Sequence, residues 1–114
     1  MANHIWVKEF PAAITVCDSK GIILEMNDRA AESFQEQGGE KLIGTNLLEC
    51  HPEDARLKLE QLMKTRKLNV YTVEKHGVRK LIYQSPWYDG GEYSGFVEIS
   101  LVIPEQIPHV PRVS

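Results

Sequence analysis

The chain has little cysteine, no excess of basic charge and no long apolar run, and each absence removes a class of function. Only Cys17 and Cys50 occur in 114 residues; 32 residues separate them and they form no C-x-x-C pair. That spacing supports neither a zinc site nor a dithiol motif. Both read as small apolar residues of a reducing compartment; a redox-sensing thiol would need a lowered pKa. Thirteen Lys and Arg against sixteen Asp and Glu leave a net charge of −3, and the basic residues cluster only mildly, at Lys64–Lys67 and Arg79-Lys80. No footprint for nucleic acid or an anionic membrane results. No stretch approaches the ~18–20 apolar residues of a membrane span. The start, MANHIWVKEF, has neither the basic residues nor the apolar run of a secretory leader. The expected location is the cytoplasm. Gly38-Gly39 and Gly90-Gly91 are followed by no Lys-Ser or Lys-Thr, so a phosphate-cradling loop is missing too.

What is present is an ordinary globular composition, 42% apolar and 25% charged, enough for one domain around one core. Ile5, Trp6, Val7 and Phe10 make a short amphipathic segment that stops at Pro11, a brief helix or an extended cap. Ala13–Cys17 is rich in β-branched residues, Asp18-Ser19-Lys20-Gly21 has turn chemistry, and Ile22–Met26 is the return strand of a hairpin. Asn27 then reads as a helix N-cap, with Asp28 at the positive end of the helix dipole and Ala30, Ala31 and Phe34 on one face. This helix fades at Gly38-Gly39, and Glu40–Gly44 makes a single further turn.

A longer helix is predicted over Pro52–Lys64. Pro52 takes its first position, Glu53 and Asp54 its first turn, Lys64, Arg66 and Lys67 its end, and Ala55, Leu59, Leu62 and Met63 its apolar face, with Leu57 as an extra. Three strands follow, Leu68–Glu74, Val78–Tyr88 and Tyr93–Ile103, divided by Lys75-His76-Gly77 and Asp89-Gly90-Gly91. The domain is thus expected over residues 12–104, preceded by a cap segment (1–11) and followed by an extended, proline-containing tail (105–114). The chain begins with Met and carries no attached effector, so any output is expected to act through a separate protein.

The order of elements, together with FPAAITVCDSKGIILEMN, LIGTNLLECHPED, KHGVRK and DGGEYSGFVEIS, resembles the PAS domain over about residues 10–104. The resemblance implies an α+β fold, a five-stranded antiparallel sheet with short helices packed on one face. It implies a sensory or signalling module, either binding a small molecule in an internal cavity and reporting to a partner protein, or ligand-free and serving homo- or hetero-dimerisation. One departure is Leu101-Val102-Ile103-Pro104, where many PAS domains carry Asp-Ile-Thr leading into a signalling helix.

The last strand divides by period two into Phe96, Glu98, Ser100 and Val102 on one face and Val97, Ile99, Leu101 and Ile103 on the other. Burial alone would turn the uniformly apolar face to the core. Alignment with the PAS pattern instead aims Phe96, Glu98 and Ser100 at the cavity, beside Thr72, Ile82 and Gln84. The apolar face then lies outside and must be covered by the N-terminal segment or a second subunit. The implied homodimer uses Ile5, Trp6, Phe10, Val97, Ile99 and Leu101.

Chromophores find little support. Photoactive flavin needs an Asn-Cys pair where this chain has Thr45-Asn46-Leu47-Leu48, with Cys50 three residues further on. Haem needs an axial ligand, often a histidine of the long helix, and that helix has none; His51 lies just before it, His76 in a turn, and His4 and His109 near the termini. No pair of them has metal-site spacing. Glu98, Cys50, His51 and Ser100 form no nucleophile–base arrangement, so no enzymatic role is expected.

Overall fold

The computed structural model describes residues 5–113, Cys50 by its backbone alone; His4 and the Cys50 side chain lie outside the described residues. A short helix α1 (Ile5–Lys8) precedes the hairpin β1 (Ala13–Asp18) and β2 (Ile23–Met26). Helix α2 (Asp28–Ser33) follows at once, then three 3-10 turns at Gln35–Gln37, Gly39–Leu42 and Leu47–Cys50, and the long helix α3 (Glu53–Thr65). Strands β3 (Asn69–Lys75), β4 (Val78–Asp89) and β5 (Glu92–Ile103) complete one antiparallel sheet of order β2-β1-β5-β4-β3.

Asn27 explains how strand passes into helix without a loop. Its side-chain oxygen accepts from Ala30 N–H at 3.1 Å, as an N-cap does, and from Ile14 N–H of β1 at 2.9 Å. Its amide donates to the carbonyls of Val7 (3.0 Å) and Ala12 (2.7 Å). A 3% exposed side chain thereby closes backbone groups of α1, the α1–β1 link, β1 and α2, each of which would be costly to bury unpaired.

α3 starts one residue later than the sequence implies: Pro52 is the N-cap and Glu53 the first helical residue. Leu62 faces the core while Leu57 points to solvent, as the apolar spacing requires. The helix ends on Arg66 in the left-handed region (φ 55°), whose guanidinium lies 4.4 Å from the centre of the Tyr93 ring. The 3-10 turn at Leu47–Cys50 is tied to the first hairpin. Leu47 N–H donates to the Gly21 carbonyl at 2.8 Å, and the Asn46 side chain caps the turn by accepting from Leu48 N–H at 2.9 Å.

The two edges of the sheet differ. On β2, Ile23 N–H donates to the Thr45 carbonyl and its own carbonyl accepts from Gly44 N–H, at 2.9 and 2.8 Å. On β3, which is last in the sheet, no backbone partner lies beyond the strand among the described residues.

Register decides the faces. Cross-strand partners share a face, and Asn69–Gln84–Glu98–Thr15–Met26 form one continuous row across all five strands. That row lies on the helix-covered side, where Cys17, Leu62 and Phe96 make the core cluster with Leu47, Met63 and Tyr93 packed on it. Phe96, Glu98 and Ser100 therefore face inward, and Val97, Ile99 and Leu101 outward. The reading that buries the uniformly apolar face of β5 is the one the register rejects.

Candidate functional site

A cavity of about 50 Å³ lies between the sheet and the helical segment. Its sheet side is Thr15, Cys17, Gln84, Phe96 and Glu98; its helical side is Phe34, Leu42, Leu47, Leu59 and Met63, with His51 at the rim. The helical segment folds over the sheet because glycines Gly38, Gly39 and Gly44, all at positive φ, let the chain reverse between short turns. Those turns present single apolar side chains rather than a continuous helix face. The result is an apolar hollow with one polar side.

The polar side is a ladder of side chains. Asn69 Nδ2 donates to Gln84 Oε1 at 2.8 Å, and Gln84 Nε2 donates to Glu98 Oε1 at 2.8 Å. Gln84 is 7% exposed, so its amide is satisfied from both neighbouring strands rather than by water. Both amides run their donors in one direction along the ladder, which ends on Glu98 Oε1 as acceptor. Beyond the ladder, a cleft of about 300 Å³ is bordered by His51, Ala55, Lys58, Leu59, Asn69, Tyr71, Gln84 and Glu98. Cavity and cleft share His51, Leu59, Gln84 and Glu98. Burial, and then the nearby Glu98 charge, raise the Tyr71 hydroxyl above its ordinary pKa, so the phenol stays protonated. His51 Nδ1 lies 2.8 Å from the Leu47 carbonyl. A carbonyl can only accept, so Nδ1 carries the hydrogen and Nε2 is the acceptor of the neutral ring.

Of the residues expected to line the hollow, the structure brings Gln84, Phe96 and Glu98 together at the cavity. Ile82 and Ser100 pair with each other on the same face, one rung away. Ile82 is buried in the core there, and Ser100 borders a separate cleft of about 280 Å³ with Ala12, Arg29 and Lys80. Thr72 is corrected: it pairs with Leu81, which pairs with Leu101, and so lies on the outer face. On β3, Asn69, Tyr71, Val73 and Lys75 share the inward-facing side, and Asn69 and Tyr71 border the cleft. Thr15, Cys17, Asn69 and His51 are cavity or cleft residues that the sequence reading did not propose. One signal was available for the ladder, three polar residues opposite one another on adjacent strands. Among the described residues no group of three or more His, Cys, Asp and Glu could hold a metal, and no helix is long and apolar enough to cross a membrane.

A family model described as the PAS fold matches residues 7–106. The chain belongs to the PAS family. Among solved structures, the PAS domain of BvgS from Bordetella pertussis is 20% identical with a TM-score of 0.67, covering 90% of this chain and 84% of that one. A sensory box sensor histidine kinase from Vibrio cholerae is 15% identical, TM-score 0.62, with 86% of each chain covered. The Aer2 receptor of Vibrio cholerae, described as a dual PAS-haem oxygen sensor, is 16% identical, TM-score 0.57, covering 82% of this chain and 95% of that one. At these identities the likeness is one of fold. No curated protein matches the chain. PAS domains related to this one are sensor modules of signalling proteins.

Proposed function

We propose that this PAS domain is a non-catalytic sensor module that takes a small molecule into the hollow beneath its sheet and reports occupancy to a signalling protein. The observation that carries the reading is the apolar cavity whose polar side continues, through shared residues, into the cleft. Binding pockets combine apolar walls with a few convergent polar groups in this way. Glu98 sits on β5, the central strand of the sheet, and Gln84 on its neighbour β4. A ligand touching them bears on strands whose opposite faces carry Ile99 and Tyr83. Haem and photoactive flavin fit poorly: α3 has no histidine, Leu47 and Leu48 follow Asn46, and 50 Å³ is small for either group. The module works in the cytoplasm. Native mass spectrometry of freshly purified protein tests this: a retained small-molecule adduct is expected. Bare protein, together with no mass shift across a metabolite extract, would sink the sensing role.

A second reading is a dimerisation module, favoured by apolar side chains left at the surface. Ile5 and Trp6 are 77% and 64% exposed, and Phe10, in edge-to-face contact with Trp6 at 5.6 Å, is 42% exposed. With the outward Val97, Ile99 and Leu101 they offer an apolar surface for a second copy.

A further inference from the structure

The chain that follows β5 repeats with period three. Pro104, Ile107, Val110 and Val113 form one series, Gln106, His109 and Arg112 a second, and Pro108 and Pro111 fall in the third. Proline fixes its own φ and holds the residue before it extended. Among the described residues, 107–113 take part in no backbone–backbone hydrogen bond. Both are properties of polyproline II, whose three residues per turn gather each series on one edge. The tail is therefore a rod with an apolar ridge, a proline ridge and a polar ridge that ends in Arg112. Ile107, Val110 and Val113 are all exposed, so the apolar ridge has no cover.

We infer that this rod docks on the Trp6–Phe10 pair of a second copy, which returns its own tail. The inference goes beyond both readings above, since neither the hollow nor the outer sheet face takes part. Polyproline segments bind grooves walled by aromatic rings. Trp6 and Phe10 stand nearly perpendicular, at 89° with centroids 5.6 Å apart, as two exposed walls of such a notch. Charge agrees with this. Glu9 lies between them in the chain, its neighbour Lys8 is taken by Asp28 at 3.2 Å, and among the described residues neither Glu9 nor Arg112 forms an ion pair. Glu9 is thus the carboxylate for Arg112. The tail is led away from its own pair: the Glu105 carbonyl accepts from Arg79 of β4 at 3.5 Å, and β4 lies on the side of β5 opposite to β1, which α1 precedes. A mutual exchange of tails has two-fold symmetry and closes at two copies.

Sedimentation of the full chain and ¹H–¹⁵N NMR test the exchange. The chain should dimerise, and Val110→Asp, at an exposed tail position, should weaken the dimer at least about tenfold. Glu9→Arg and Arg112→Glu should each weaken it about two- to fivefold, and together restore it. Added to the ¹⁵N-labelled Val110→Asp chain, a synthetic peptide of residues 104–113 should shift the Trp6 indole and the amides of Glu9 and Phe10. A chain that stays monomeric, or a peptide that leaves those signals in place, overturns the exchange. A dimer that survives Val110→Asp and is broken by Ile99→Asp overturns it as well, and leaves dimerisation through the outer sheet face standing. Trp6 signals that respond to Val110→Asp but not to dilution would put the tail on its own copy, against the proposal. None of these outcomes touches the sensor reading, which the native mass spectrum decides.

Discussion

The side-chain amide of Asn27 donates to the carbonyl of Val7 at 3.0 Å, twenty residues back along the chain. The same amide donates to Ala12, and the oxygen beside it accepts from Ile14 and Ala30. Asn27→Ala would strand the Ile14 and Ala30 N–H groups and the Ala12 carbonyl at once, and would leave the Val7 carbonyl with Phe10 N–H alone. A typical net hydrogen bond is worth about 1 kcal/mol and an unsatisfied buried group costs more, so the expected loss is about 2–4 kcal/mol. Urea denaturation of the two proteins measures it. A loss near the ~0.5–1 kcal/mol of an ordinary exposed N-cap would mean that the bonds to Val7 and Ala12 contribute little.

Gly95 and Gly90 separate steric from conformational cost. Gly95 has φ +149°, and a Cβ there would fall 1.9 Å from the Cys17 carbonyl oxygen, inside the β1–β5 pairing. Gly95→Ala should therefore unfold the domain or cost more than about 4 kcal/mol. Gly90 has φ +58° in the hairpin turn with nothing within 4 Å of the added atom, so Gly90→Ala should cost only about 1–2 kcal/mol. Comparable midpoints in a thermal melt would contradict the tight strand contact.

Alkaline pH should weaken the fold in a defined order. Burial, more than any other influence, raises the Cys17 thiol above its ordinary 9.0, and burial likewise raises Tyr71 and Tyr93 above 10.0. A group whose folded pKa exceeds its unfolded value keeps its proton longer in the folded state. Its contribution is thus complete below the unfolded value and is lost as pH rises through the folded one. Stability should be flat on this account up to about pH 8, then decline first through Cys17 and next through the tyrosines. Denaturation midpoints from pH 7 to 11 check the order, and Cys17→Ala should remove the earliest part of the decline.

The outer face can be tested apart from the cavity. Ile99 faces outward opposite Tyr83 and Ile14, so Ile99→Asp leaves the Gln84–Glu98 ladder untouched. On the dimerisation reading the unmodified chain sediments as a dimer and the variant, like Trp6→Ala, shifts toward monomer. Identical sedimentation of all three would remove this face from consideration.

Much of the architecture was legible because turn chemistry is local. Asp18 and Gly21 mark the first hairpin, and the turn closes as their types require, with the Asp18 carboxylate accepting from Lys20 N–H and Ile22 N–H at 2.9 and 3.0 Å. Asn27 announced its helix from sequence, yet its bonds to Val7 and Ala12 span 20 and 15 residues, and no local rule supplies those. The faces of β3 were illegible for a related reason. Val70 and Thr72 alternate with Tyr71 and Val73, so both faces are equally apolar and only pairing with β4 decides between them. Thr72 was assigned inward on the family pattern, and the register puts Tyr71 there. The walls supplied by Phe34, Leu42 and Leu47 were invisible from periodicity, because 3-10 turns a few residues long carry no repeating pattern to detect.

The unequal edges of the sheet limit how it can grow. With β2 already occupied by the Gly44-Thr45 backbone and only β3 exposed at the far side, a guest strand has one berth and no second to offer the next arrival. Accretion by this route stops at a closed pair, so a sensor of this shape can take on a neighbour without seeding a filament.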